Sequence, residues 1–160
     1  MTVKELIDKL QQFNGDRVVL VEDTPMRASM ALSAGYKIGN AHPDDIGYEV
    51  TYSDGYKSWS PAKEFEKVYY KLEHPAGDIL RKDDIKRFIS NIENVKVGTK
   101  TANTTLTCLT GFEVHGQAVC VKPENFDLNV DATYAQIKAE DKIWEGLEFV
   151  LQWAKYGLKR

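Results

Sequence analysis

The side chains with the widest chemical reach in this 160-residue sequence are three histidines, His42, His74 and His115, and two cysteines, Cys108 and Cys120. The histidines fall in three separate segments, two of them beside prolines. None has a partner at the spacing of a metal site or a nucleophile–base pair, so they read as solvated or structural. The cysteines lie on the two arms of an alternating run from Thr104 to Cys120. With Thr110-Gly111 as a two-residue turn, Cys108 faces Glu113 and Cys120 lies far down the return strand. That register disfavours a disulfide, and both thiols are expected reduced and buried. Asp44 with Asp45, and Asp83 with Asp84, come in pairs that acid–base chemistry could use. Asp83 and Asp84 suit the first turn of a helix equally well, where carboxylates meet free amides. No Gly-x-Ser-x-Gly, phosphate-loop or dinucleotide motif occurs. No catalytic residue, metal ligand or cofactor is therefore assigned, and the expectation is a protein that is not an enzyme.

Binding chemistry is better represented. Tyr48, Tyr52, Tyr56 and Trp59 flank Lys57 in one hairpin. On a shared face these rings make either a small core or a stacking platform for bases, with Lys57 placed to meet a phosphate. The candidate ligand-binding residues are Trp59, Tyr56, Lys57 and Lys142. A second set sits in the last helix, where Ile143, Leu147, Val150, Leu151 and Ala154 form an apolar stripe that Trp144 and Trp153 widen beyond what one small sheet can cover. Trp153 and Tyr156 are the candidate homo-oligomer interface, because aromatic residues are enriched at interface cores.

The elements that must position these residues are legible from pattern. Thr2 and Glu5 form a capping box for a first helix ending at Asn14-Gly15. Residues 17–21 read as a buried strand and residues 26–34 as a helix. Residues 47–59 form a hairpin turning at Asp54-Gly55, and Ser60-Pro61 starts a helix over 62–68. His74-Pro75-Ala76-Gly77 breaks the pattern and marks the expected boundary between a unit of residues 1–75 and one of 76–160. In the second unit a helix over 84–92, a strand from Val95, the 104–120 hairpin and a helix over 131–158 follow. The fold class expected is α+β: two small units, each an antiparallel hairpin or sheet packed with helices, with a long C-terminal helix.

A net charge of −3 argues against a dedicated nucleic-acid binder. No apolar run is long enough for a membrane span, and the charged N-terminus lacks a secretory signal, so a cytoplasmic protein is expected.

Residues 82–158 carry Gly111-Phe112-Glu113-Val114, Ala118-Val119-Cys120-Val121, Pro123, Asn125-Phe126-Asp127 and Asp141-Lys142-Ile143-Trp144. In these residues and their spacing the segment resembles a tailed-phage protein family typified by a podovirus gene 49 product and a Shigella phage gene 66 product. The first half carries Thr24-Pro25-Met26, Gly47-Tyr48-Glu49-Val50 and Asp54-Gly55-Tyr56-Lys57-Ser58-Trp59-Ser60-Pro61, with Phe65-Glu66 and Tyr69. It resembles short phage proteins that end in this element. The two resemblances imply a phage-encoded accessory protein in the cytoplasm of an infected bacterium, acting by binding. The function expected from them is sequestration of a small nucleotide defence signal. The alternative is an inhibitor or scaffold docking on a host or phage enzyme.

Overall fold

The structure is a computed structural model that describes residues 20–21, 24–52, 54–74 and 77–159. The helix expected after Thr2 lies outside them. The chain divides into two compact units, one ending at Lys71 and the other starting at Leu72, just before the Pro/Gly break expected to separate them. Antiparallel sheets, helices and a long C-terminal helix make the fold α+β.

The first unit is built around β3 (Ile46–Thr51). On one side β4 (Lys57–Pro61) pairs along its whole length. On the other side two short strands lie end to end, β1 (Leu20–Val21) against Thr51 and Val50, and β2 (Met26–Arg27) against Gly47 and Ile46. Because Met26 and Arg27 join the sheet, the helix expected from Met26 starts only at Ala28: α1 is Ala28–Ser33. The Asp54 carboxylate accepts from the Tyr56 amide at 2.8 Å, and Gly55 takes φ +84°, so the turn forms where its residues demand it. Ser60 pairs with Tyr48 in the ladder, so the next helix, α2 (Ala62–Phe65), starts after Pro61 without a hydroxyl cap.

The second unit runs α3 (Lys82–Phe88), β5 (Ile89–Val97), β6 (Thr101–Cys108), β7 (Glu113–Val119), a 3-10 turn at Pro123–Asn125, and α4 (Leu128–Tyr156). The strands form one antiparallel sheet in the order β5-β6-β7. Sequence periodicity extends α3 to Ile92, but β6 captures Ile89 onward as a strand. Thr107, not Cys108, faces Glu113, because the loop spans Leu109 to Phe112 and closes with the Cys108 amide donating to the Phe112 carbonyl at 2.8 Å. Asp84 is wholly buried at the start of α3, accepting from the Arg81 amide at 2.8 Å, the Glu73 amide at 2.9 Å and the Arg87 guanidinium at 2.6 Å. The Asp127 carboxylate caps α4 by accepting from the Asn129 amide at 2.9 Å.

Along β6 burial alternates strictly, with Ala102, Thr104, Leu106 and Cys108 facing α4. At one end Ala102, Ala118 and Ala135 pack together, and at the other Leu106, Cys108, Ala139, Ile143 and Ile85 do. Between them α4 lies so close to β7 that a side chain on Gly116 would run into the Ala135 carbonyl. Gly116→Val is expected to destabilise the second unit by about 3 kcal/mol, since overpacking must lift the helix from the sheet. Chemical denaturation followed by circular dichroism measures it. An unchanged midpoint would mean that the helix is not seated on this strand.

Candidate functional site

Trp59 is a core residue, the first of the two readings its hairpin allows, which corrects its place among the candidate ligand-binding residues. It is 6 % exposed, packs with Ala28 and Ala31, and donates its indole N–H to the Met26 carbonyl at 3.1 Å. A Cβ on Gly47 across the ladder would strike the Trp59 ring, so that glycine is what lets the indole lie flat over β3. The four aromatics do not share a face. Trp59 stands opposite Glu49 in register, whereas Tyr48 stands opposite Ser60, one residue along, and therefore on the other side of the sheet. There Tyr48 packs on Phe65 at 5.5 Å between ring centroids, and its hydroxyl donates to Glu66 at 2.6 Å. Tyr56 is exposed beside Tyr52, with centroids 5.8 Å apart.

Lys57 is held by Glu49 at 2.7 Å, and the same carboxylate accepts from the Tyr36 hydroxyl at 2.5 Å. The Lys57 hydrogen bond and then the Tyr36 hydrogen bond hold the Glu49 carboxyl below the usual range, and the Tyr36 phenol is raised in turn by donating to that carboxylate. Lys142 belongs to the second unit, where its ammonium donates to the His115 carbonyl at 2.6 Å. Within the first unit, then, Tyr56 and Lys57 are near the surface but Trp59 is not.

Among the described residues, no three His, Cys, Asp or Glu side chains gather as metal ligands. Cys108 and Cys120 are free thiols, and burial pushes Cys108 up. His115 lies on the open face of the sheet, its Nδ1 3.0 Å from the Thr105 hydroxyl.

The two edges of the second sheet differ, and that contrast defines the best candidate surface. The Cys120 amide donates to the Lys100 carbonyl and the Cys108 amide to Phe112, so even-numbered residues of β6 bond to β7. By antiparallel alternation the odd-numbered ones bond to β5. Two consequences follow. The carbonyls of His115 and Gln117 point out of the β7 edge, where Lys142 and Lys138 of α4 take them at 2.6 and 2.9 Å. The amides and carbonyls of Ile92, Asn94 and Lys96 point out of the β5 edge, where nothing among the described residues pairs with them. Residues Ser90 to Val97 are exposed on both faces, Ile92 at 46 %. The Lys96 ammonium is folded back over the Phe126 ring at 4.5 Å, away from the edge. A long, two-sided, uncovered edge strand is competent to take another strand. It was missed in the sequence because residues 89–92 carry a helical pattern.

Residues 80–154 match the model of a family described as phage protein (N4 Gp49/phage Sf6 gene 66). The second unit is thus similar to a bacteriophage protein family, in agreement with the resemblance carried by its hairpin and helix residues. No curated protein and no solved structure matches the chain. Among the described residues, no helix is long and apolar enough to cross a membrane.

Trp59→Ala is expected to destabilise the first unit by about 3–5 kcal/mol, as loss of a buried indole does; a variant with unchanged stability would return the ring to the surface. For Glu49 the folded carboxyl lies below its ordinary value of 4.5, so its contribution is complete above that pH and is lost as pH falls through the folded value. Glu49→Gln should therefore flatten the acid limb of stability against pH below about 4.5 and leave the neutral region's slope unchanged.

Proposed function

We propose that this is a phage accessory protein that acts by binding, without turnover, and that its partner is a protein whose extended segment adds to the sheet at β5. The reading is carried by the backbone of Ile92, Asn94 and Lys96, which nothing among the described residues pairs with, whereas lysines take two outward carbonyls at the β7 edge. Strand addition draws its affinity from main-chain hydrogen bonds and its selectivity from alternate side chains. Here those would be Ile92, Asn94 and Lys96 on the helix side and Glu93, Val95 and Val97 on the open face. An inhibitor or scaffold that docks on a host or phage enzyme fits this chemistry. Sequestration of a nucleotide defence signal fits it less well. Trp59 is enclosed, Lys57 is engaged by Glu49, and Lys142 is engaged by a backbone carbonyl.

Two prolines separate the edge from the ladder. Val95 bonds inward to β6, so Val95→Pro breaks a native hydrogen bond and should cost about 2–3 kcal/mol of stability. Lys96 presents its amide outward, so Lys96→Pro should leave the fold cooperative and remove the docking bond. With tagged full-length protein in phage-infected bacteria, a cross-linked partner should be recovered with the native sequence and lost with Lys96→Pro. Recovery of the same partner by Lys96→Pro would end the strand-addition reading. Release of a chemically altered ligand, at a rate proportional to protein, would end the binding-only reading.

A further inference from the structure

The second unit carries another surface, independent of strand capture. α4 has 29 residues, whereas β6 beneath it has eight. Ile143 is the last residue of α4 buried against the sheet, so roughly 20 Å of helix at 1.5 Å per residue continues past it. Over that stretch the buried side of the helix turns. Trp144 and Leu147 pack with the Ile85 cluster, and Lys155 is anchored by Asp78 at 2.6 Å. The row that continues the sheet-facing positions at three- and four-residue spacing is Gly146, Val150 and Trp153, with Phe149 and Tyr156 on its flank. This row is left exposed, Phe149 at 67 %. Ile143 packs with Cys108, and the turn just beyond Cys108 adds Leu109 and Phe112, the latter 68 % exposed.

Gly146 stands within the row. A side chain there would meet nothing within 4 Å, so packing within one copy does not call for a glycine, which is a poor helix former. We propose that the exposed row at this far end of α4 is a homodimer interface. Two copies pack antiparallel about a two-fold axis near Val150, and Trp153 of each copy seats over Gly146 of the other. The area argues for a second copy as occupant. Leu109, Phe112, Phe149, Val150, Trp153 and Tyr156 together offer roughly 700 Å² of mostly apolar surface, close to what each side of a standard interface buries. A symmetric helix pair covers the exposed part of each aromatic of the row, and the glycine supplies the close approach.

Analytical ultracentrifugation of the full chain should show a dimer at tens of micromolar. Gly146→Leu should improve the helix and hold or raise the Tm, while weakening dimerisation at least tenfold because the new side chain fills the seat of Trp153. Val150→Lys and Val150→Glu should each be monomeric alone, through like charges on the axis, and should regain a heterodimer when mixed. Circular dichroism would confirm that all three fold. A native chain that stays monomeric at about 1 mM overturns the proposal. So does a Gly146→Leu dimer of unchanged affinity, or a mixture of the two charge variants that remains monomeric.

Discussion

The second unit depends on how closely a helix can approach a strand. Gly116 brings the β7 backbone against that of α4, and Ala132, Ala135 and Ala139 give the helix a face of single methyls that costs almost no side-chain entropy to bury. This contact sets the height of α4 and its lateral position over β6 and β7. From there Lys138 and Lys142 reach the outward carbonyls of β7. One small-residue contact therefore decides which edge of the sheet has its outward carbonyls taken by lysines, and leaves those of β5 without such a partner among the described residues.

Carboxylates do the corresponding work at the joints between elements. Asp84 is wholly buried yet fully engaged, taking two backbone amides and the Arg87 guanidinium, so the start of α3 is tied to the segment before it. Removing Arg87 would take the counter-ion from a desolvated charge, which is far costlier than losing a surface pair. Asp78 is lowered chiefly by its hydrogen bond from Lys155, whose ammonium is raised by the same bond, and the pair fastens the far end of α4. Glu49 plays the same part in the first unit, where Lys57 and Tyr36 meet on one carboxylate.

Both proposed surfaces arise from a mismatch of lengths. The helix outruns the strands it covers, so its apolar row continues past the sheet. The helix is also narrower than three strands, so it shelters two and leaves the third with both faces in solvent.

Much of this was decided by the amino-acid sequence alone. The period-two run of residues 104–120, the Asp54-Gly55 turn and the 3.6-residue period of the last helix each carry a local signal that tertiary context reinforces. The α+β class follows from them. Other features became visible only in three dimensions, because they depend on what faces a residue rather than on its neighbours in the chain. Trp59 looks alike in sequence whether it is platform or core, and the partner that encloses it, α1, starts more than twenty residues earlier. Ile89 to Ile92 has a helical pattern, but pairing with β6 outweighs that propensity and makes it an edge strand. Val150 belongs to the apolar stripe by period, yet it is exposed because the buried side of α4 turns toward the Ile85 cluster after the sheet ends. Periodicity reports that a face is apolar; only the fold determines what, if anything, lies against it.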